Sequence, residues 1–473
     1  MIPLRSANQL QGNLGHFCFS MYQQIHLVAR NGQSCSCICL SNFVGDHKMR
    51  SRHRPVGQVG APAQPAAEGA RRHRPDYVIL VLTALLMVIG LIVVYSISPG
   101  LSASQHVSQS YFITKQLLDV ALGAAAFAIA AVLPVRRWSA FSRPLIIAAL
   151  LGSAVVMITP INAIYPAHRW IRLGGFSFQV AELIKLTLIV GLASFLSGQW
   201  RKGKIADFKA TLRPLIIVLL AVGVVVAKLQ SDLGSAGVII IIMAAMAFTV
   251  GIPLKKVGLI CAIVTLVLAL AIASSSYRRE RLTTFLHPSS DCRGSGYHAC
   301  QALIAVGSGG VFGEGLGFGA ASYGYLPEAS NDSIFAIMAQ KFGFIGTTLI
   351  VTIYGLFITR IKKLIERTGD QFSRLILVGV LAWLSTQTIV NIGAMLGLLP
   401  LKGITLPLIS QGGTSLIFLT AALGIVFQLS RYTNYNVTEP KTSSEQGSNS
   451  GSSPNRRRFG RPYNPPTISR PRT

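Results

Sequence analysis

The chain has 473 residues, of which 51% are hydrophobic and 12% charged, and its mean hydropathy is +0.51. A chain this apolar is not a water-soluble globular protein, so the composition indicates a polytopic membrane protein. The net charge of +27 does not indicate nucleic-acid binding, because Lys and Arg lie mainly in short segments between apolar runs and in the two tails.

Residues 1–76 are predicted to form a disordered, basic, cytoplasmic tail. The segment lacks the order of basic, apolar and small residues found in a cleavable signal peptide, and its second half is dominated by Pro, Ala, Gly and Arg. Met49 is followed by a basic stretch that ends at Arg74, so we hypothesise that Met49 is the natural start.

Apolar windows of about 20 residues, the length that spans a bilayer, recur along the middle of the chain. We predict an all-α membrane domain over residues 77–430, with about ten transmembrane helices and a large extracytoplasmic loop between helices 7 and 8. The predicted spans are 77–98, 112–133, 144–160, 181–198, 214–229, 234–251, 256–275, 333–358, 374–399 and 409–430.

Cations precede the first predicted span and follow every second span, which is the pattern of cytoplasmic connections. Both termini are therefore predicted to be cytoplasmic, with a second disordered basic tail over 431–473. Two external connections break the bias, and their cations are candidates for function: Arg169 and Arg172 in one, and Arg278, Arg279, Arg281 and Arg293 in the other.

Ionisable residues inside predicted spans are energetically costly and often functional. Glu182 and Lys185 are three positions apart, so they lie on one helical face, where they either neutralise each other or serve a site. Asp232 precedes the sixth span, where it either caps the helix or lines a polar cavity. Both alternatives remain open at this level.

The long loop over 277–330 ends just before Asp332, a further acidic residue beside a predicted span. Cys292 and Cys300 could form a disulfide in this compartment, although the sequence does not decide it. Asp332 immediately precedes the eighth span and is either a helix cap or a catalytic acid at the membrane surface. The Gly-rich runs of the loop lack the flanking elements of a nucleotide-binding loop.

Four sequence blocks carry a resemblance to a known family over about 77–432. They are Arg169-Trp170-Ile171-Arg172-Leu173-Gly174-Gly175-Phe176 with Gln179, Glu182 and Lys185; Gln230 to Ser235; Pro327 to Ala336 with Gly343 to Gly346; and Asn391 to Gly393, Gly397 to Pro400, Leu406-Pro407 and Ser410 to Ser415. In this order they resemble the SEDS family (shape, elongation, division and sporulation), whose best-known branches are FtsW and RodA. The tails and Ser333 look more like the FtsW branch.

The resemblance implies a peptidoglycan glycosyltransferase that polymerises lipid II on the outer face of the cytoplasmic membrane during cell division. It places the catalytic carboxylate on Asp332, which would act as general base. Other residues are expected to bind substrate, and several of the cations would face the leaving pyrophosphate: Arg169, Trp170, Glu182, Lys185, Asp232, Arg278, Arg281, Glu328 and Ser410. A divalent cation, Mg²⁺ or Mn²⁺, could assist, but the sequence shows no metal-ligand cluster.

The resemblance also implies partners: a class B penicillin-binding protein with transpeptidase activity, other division proteins and membrane lipids, but no nucleic acid. Several positions depart from the family pattern, and Lys341 is the most notable because it reverses a charge within the eighth span. Three alternatives remain: a lipid II flippase or transporter, a non-catalytic division scaffold, and an elongation polymerase of the RodA branch.

Overall fold

The structure is a computed structural model of the full chain. It describes residues 74–158, 170–173, 176–230, 232–253, 255–256, 258, 262, 273, 279, 283–286, 292–294, 296–319, 323–401 and 403–432. All of these residues belong to one compact unit. The predictions for the two tails and for Arg169, Arg278 and Arg281 lie outside the described residues.

The described part of the chain is almost entirely helical, as predicted. Short π-helical segments over Phe208–Leu212 and Val224–Leu229 flank α5, and a 3-10 turn over Ser430–Tyr432 follows α10. The helices are α1 Tyr77–Gln105, α2 Tyr111–Val132, α3 Val135–Ile158, α4 Val180–Arg201, α5 Arg213–Gly223, α6 Leu233–Thr249, α7 Tyr297–Ser308, α8 Ile334–Arg367, α9 Gln371–Met395 and α10 Thr414–Leu429.

Eight helical stretches within the described residues are long and apolar enough to cross a membrane. Helix α6 is also apolar but has 17 residues, and it corresponds to the sixth predicted span. Most of the seventh predicted span lies outside the described residues. The chain is therefore an integral membrane protein, and the predicted fold class, a polytopic helical membrane protein, is confirmed.

Two helices are longer than predicted because their cationic ends continue beyond the apolar windows. Helix α3 begins at Val135 rather than at 144, so Arg137 lies in its first turn instead of in a loop. Helix α8 continues to Arg367, and its stretch after Gly343, at 1.5 Å per residue, is about 36 Å long, which exceeds the roughly 30 Å hydrocarbon core. Hydropathy windows detect the apolar core of a helix but not its polar extensions.

A β-hairpin stands where no strand was predicted. Strands β1 (Trp170–Leu173) and β2 (Phe176–Gln179) pair antiparallel, with Trp170 opposite Gln179. The sequence between the strands is Gly174-Gly175, a pair that suits a two-residue hairpin turn. The hairpin leads directly into α4 and therefore fixes where that helix begins.

Three helices form the centre of the molecule. The buried share of the most apolar window is 78% in α4 and 72% in both α9 and α10. In α3, which lies further out, the same share is 11%. Polar side chains on the buried faces of these central helices are shielded from water, so partners within the protein stabilise them.

Helix α8 is broken at Gly343, whose backbone is left-handed in φ (63°) and extended in ψ (−163°). The Gly-rich segment over 309–315 lies against the break and hydrogen-bonds to the backbone groups that it frees. The bonds are Glu314 N to Gln340 O (2.9 Å), Gly315 N to Lys341 O (3.1 Å), Phe344 N to Gly310 O (2.9 Å) and Ile345 N to Val311 O (3.2 Å). Non-helical backbone near a membrane is tolerated where the protein satisfies it in this way.

Candidate active site

Asp332 lies in a tight turn immediately before α8, and its exposed fraction is only 7%. The turn contains a strained position, since Glu328 has a positive φ of 51°. Glu328 is exposed, and its carboxylate accepts a hydrogen bond from the Asn331 amide. Glu328 therefore helps to shape the turn that carries Asp332.

Ser333 occupies the N-cap position of α8 but makes no side-chain capping bond. Its hydroxyl instead donates to the carbonyl of Pro327 at 2.8 Å and bonds to the ring Nε2 of His298 at 2.7 Å. The Ser333 side chain is thus used to hold the turn closed.

The backbone of the turn is clamped by the segment that precedes α10 and by α9. The Ser410 hydroxyl donates to the Asn331 carbonyl at 2.6 Å, and the backbone N–H of Gln411 donates to the Ser330 carbonyl at 2.9 Å. Asn391 on α9 donates to the Asp332 carbonyl at 2.7 Å. Ser410 therefore contacts the backbone of this turn, and its expected role in substrate binding stays a prediction.

A small, partly open cleft of about 10 Å³, which is room for about one water molecule, borders Asp332. Asp332 is its one acidic lining residue, and apolar groups from the end of α9 form much of the wall. The lining residues are Asp332, Val390, Asn391, Ala394, Met395, Gly403 and Ile404. A carboxylate at the edge of a partly apolar cleft is suited to proton transfer with a bound hydroxyl group.

Glu182 and Lys185 form the ion pair that their spacing predicts. Lys185 Nζ lies 2.7 Å from Glu182 Oε1, and the side chains are only 1% and 4% exposed. Lys185 also donates to Gln387 Oε1 at 3.2 Å and lies over the Trp383 ring, 5.1 Å from its centroid. The Lys185 ammonium group is therefore enclosed by protein and does not face a cleft.

Gln387 extends this buried network toward the turn. Its amide donates to the Thr405 carbonyl at 3.1 Å and lies 3.2 Å from the Thr405 hydroxyl, while Trp383 donates to its carbonyl oxygen at 2.7 Å. One helical turn further along α9, Asn391 donates to the neighbouring Ile404 carbonyl at 2.6 Å. One face of α9 thus connects the Glu182–Lys185 pair to the segment that borders Asp332.

Asp232 is the N-cap of α6, as one of the two interpretations predicted. One carboxylate oxygen accepts from the Ser235 amide at 3.0 Å, and the other accepts from the Gln179 side chain at 3.1 Å. Gln179 is paired with Trp170 across the hairpin, and its own backbone amide donates to Thr414 at 3.0 Å. The hairpin, α6 and the start of α10 are joined at this point, and Trp170 is half-buried there.

The disulfide that the sequence left open is formed between Cys292 and Cys300, at the start of α7. Sequence reasoning missed Gln387, although it lies four residues before Asn391 on the same helical face. It also missed Asp119, a 4% exposed carboxylate in α2 that a search for ionisable residues within spans would have found. No sequence signal pointed to His298, which reaches Ser333 from a separate helix.

Among the described residues, no group of three or more His, Cys, Asp or Glu side chains is placed to hold a metal ion.

Comparison with known proteins supports one family throughout the membrane domain. The family profile described as "Cell cycle protein", which covers FtsW, RodA and SpoVE, matches residues 76–435. The chain is 34% identical over 389 residues to the probable peptidoglycan glycosyltransferase FtsW of Methylomonas methanica, covering 81% of this chain and 98% of the relative. It is 33% identical over 371 residues to stage V sporulation protein E of Bacillus subtilis, covering 77% and 99%.

Solved structures give the same result. A chain from a peptidoglycan synthase complex, studied for its coordination of polymerisation and crosslinking, matches with a TM-score of 0.61 at 27% identity, covering 76% of this chain and 98% of the other. The rod shape determining protein RodA of Thermus thermophilus matches with a TM-score of 0.53 at 27% identity, again covering 76% and 98%. The chain belongs to the FtsW, RodA and SpoVE family of membrane-embedded cell-cycle proteins.

Proposed function

We propose that this chain polymerises lipid II into glycan strands, with Asp332 as the general base. The chain is a peptidoglycan glycosyltransferase of the FtsW type, in line with the names of its most similar relatives. The observation that carries the residue assignment is the buried Asp332 carboxylate, which borders the cleft on a turn clamped by three separate contacts.

In the proposed reaction, the 4-hydroxyl of one disaccharide attacks the anomeric carbon of another. A new glycosidic C–O bond forms, the bond to undecaprenyl pyrophosphate breaks, and the anomeric configuration inverts. Asp332 accepts the hydroxyl proton, a role that typically contributes about 10²- to 10⁴-fold to the rate. The leaving pyrophosphate departs with the electron pair of the broken bond.

An extracytoplasmic active site is supported by α8 and its surroundings. Arg360, Lys362, Lys363 and Arg367 lie at the opposite end of this long helix from Asp332, so positive-inside bias supports an outer position for Asp332. The same bias supports cytoplasmic termini. The disulfide between Cys292 and Cys300 lies in the connection before Asp332, and disulfides persist in extracytoplasmic compartments. Both arguments support an active site on the outer face.

The proposed roles of the other residues follow from their contacts. Glu182 and Lys185 support the site from inside the protein, because their ion pair is buried and connected through Gln387 to Thr405. Contact with the pyrophosphate is assigned to the cations of the external connections, Arg169, Arg278 and Arg281. Trp170 and Asp232 are proposed to border the sugar-binding region beside the hairpin, with Glu328 shaping the acidic turn.

The proposed partners are a class B penicillin-binding protein, whose transpeptidase would crosslink the new strands, and other division proteins. The first is supported by the similarity to a chain of a peptidoglycan synthase complex in which polymerisation and crosslinking are coordinated. Membrane lipid surrounds the outer helices, and the cell-division role follows the FtsW-type relatives rather than the RodA branch.

The test is polymerisation of lipid II by the purified full chain with its cognate transpeptidase, with added Mg²⁺ or Mn²⁺ and then with chelator. Asp332→Asn is compared with wild type and with Glu366→Gln, which alters an exposed carboxylate near the other end of α8. Glycan strands from wild type and Glu366→Gln but not from Asp332→Asn are expected. Strands from Asp332→Asn would disprove the base assignment, and transfer of labelled lipid II across liposomes without glycan would favour a flippase.

A further inference from the structure

His298 is the second residue of α7, and its ring reaches the residue that directly follows Asp332. The distance from His298 Nε2 to Ser333 Oγ is 2.7 Å. Ser333 is completely buried and His298 is half-buried, so the bond lies at the inner edge of the loop. A hydrogen bond this close to the proposed base affects where the Asp332 carboxylate can point.

Counting hydrogens assigns the direction of this bond. A serine hydroxyl has one hydrogen to donate, and Ser333 donates it to the Pro327 carbonyl at 2.8 Å. His298 must therefore be the donor, through an Nε2–H group that both the imidazolium and one neutral tautomer carry. What the turn requires from position 298 is an N–H donor at that point, and not a titrating group.

Helix α7 is held firmly enough to act as a support. The Cys292–Cys300 disulfide closes its N-terminal end, and the Tyr297 hydroxyl donates to the Tyr325 carbonyl at 2.7 Å. At the other end, the Gln340 amide of α8 donates to the Ser308 hydroxyl at 3.1 Å. His298 is thus presented from a helix that is attached to its surroundings at both ends.

The remaining contacts of the turn come from other elements. Asn391, Ser410 and Gln411 all bind its backbone carbonyls, at residues 332, 331 and 330 respectively. His298 instead binds the side chain of Ser333 from the extracytoplasmic loop. Removal of the His298 bond would leave the turn attached to the membrane helices but would take away a side-chain contact with the loop.

We propose that His298 is a positioning residue for the Asp332 base, acting through its N–H bond to Ser333. The proposal rests on the function proposed above, because it assumes that Asp332 takes the proton. His298 itself does not exchange a proton with substrate. Small displacements of a catalytic group can lower the rate by up to about 10²-fold, so loss of the bond is expected to affect turnover more than substrate binding.

The experiment measures kcat and KM for lipid II polymerisation by the full chain with its transpeptidase partner over a range of pH. His298→Leu is expected to lower kcat about tenfold, with KM changed by less than about twofold, because the transition-state geometry is lost. His298→Gln supplies an amide N–H and is expected to recover kcat to within about threefold, with an unchanged pH profile. His106→Asn, at an exposed position with φ of 55°, is the control.

A second variant keeps the test decisive if His298→Leu does not fold. Ser333→Ala removes the acceptor together with the bond to the Pro327 carbonyl, so it is expected to lower kcat at least as much as His298→Leu. The double variant is expected to be no slower than Ser333→Ala alone. Full activity of His298→Leu, or a lost limb of the pH profile in His298→Gln, would overturn the positioning role while Asp332→Asn remained inactive. Activity of Asp332→Asn would instead disprove the proposed function itself.

Discussion

Asn391 holds the backbone of Asp332 and the backbone of Ile404 together. Its side-chain amide donates to the Asp332 carbonyl at 2.7 Å and to the Ile404 carbonyl at 2.6 Å, and the residue is only 2% exposed. The residue that we propose as the base is thus fixed by a helix that begins 39 positions after it, counting from Asp332 to Gln371. Contacts between separate segments of this kind lead to four testable predictions.

Replacing Asn391 with Leu should impair turnover without abolishing substrate binding. Two buried carbonyls lose their donor, which costs about 1–3 kcal/mol of stability each, and Asp332 loses its support from α9. We expect a lower thermal unfolding temperature in detergent and a kcat at least tenfold lower in the polymerisation assay.

The matched control is Ser385→Ala, since Ser385 lies on the same helix and bonds only within it. Its unfolding temperature and kcat should stay close to those of wild type. An Asn391→Leu protein with wild-type kcat would show that this clamp does not position the base.

Removing one charge of the Glu182–Lys185 pair should destabilise the protein strongly, whereas removing both charges should have a small effect on its stability. Lys185→Met leaves the buried Glu182 carboxylate without its counter-ion, which typically costs about 3–5 kcal/mol. The double variant Glu182→Gln with Lys185→Met removes both charges and should recover most of the lost stability. Thermal unfolding of the single and double variants measures how much stability is lost and how much is recovered.

Lys362→Met serves as the comparison, because Lys362 and Glu366 form an exposed pair at 3.9 Å. Exposed pairs contribute up to about 1 kcal/mol, so this variant should unfold near the wild-type temperature. Equal stability of Lys185→Met and wild type would disprove the structural role of the buried pair.

Gly343→Ala should prevent the Gly-rich loop from seating in the break of α8. Gly343 has a φ of 63°, and an added Cβ would lie 2.3 Å from the backbone nitrogen of Gly313. Alanine is strained at that φ and has no room there, so we expect a large loss of folded protein after extraction. Size-exclusion chromatography of detergent extracts measures the folded fraction.

Gly355→Ala is the control within the same helix. An added Cβ at Gly355 meets nothing within 4 Å, and alanine favours a regular helix by about 1 kcal/mol relative to glycine. This variant should be as stable as wild type or slightly more so. If the two variants behave alike, the break is not required for folding.

Lys341→Met should loosen the loop over 309–319. Lys341 is 2% exposed, and its ammonium group donates to the carbonyls of Leu316 (2.7 Å) and Phe318 (3.2 Å). Without these bonds the exposed Phe312 and Phe318 should be cleaved faster by chymotrypsin, with little change in global unfolding. Exposed Lys363→Met is the control, and unchanged cleavage rates in Lys341→Met would contradict the role given to Lys341.

Local sequence patterns were sufficient to predict much of the secondary structure of this protein. Apolar windows located the membrane helices. The three-residue spacing of Glu182 and Lys185 made an ion pair one of their two interpretations, and the position of Asp232 before α6 made a helix cap one of its two. Each of these depends on residues that are neighbours in sequence or on one helical face, where helix geometry sets the distance.

The hairpin at Trp170, the break at Gly343 and the supports of Asp332 required the three-dimensional packing. Ser333 meets His298 from 35 positions away, and Asp332 meets Asn391 from 59 positions away. Gly343 lies in an apolar window that reads as uninterrupted helix, and it is the returning loop that satisfies the broken backbone. Hydropathy and periodicity describe how one segment meets lipid or its own next turn, whereas these contacts depend on how separate segments pack to satisfy buried polar groups.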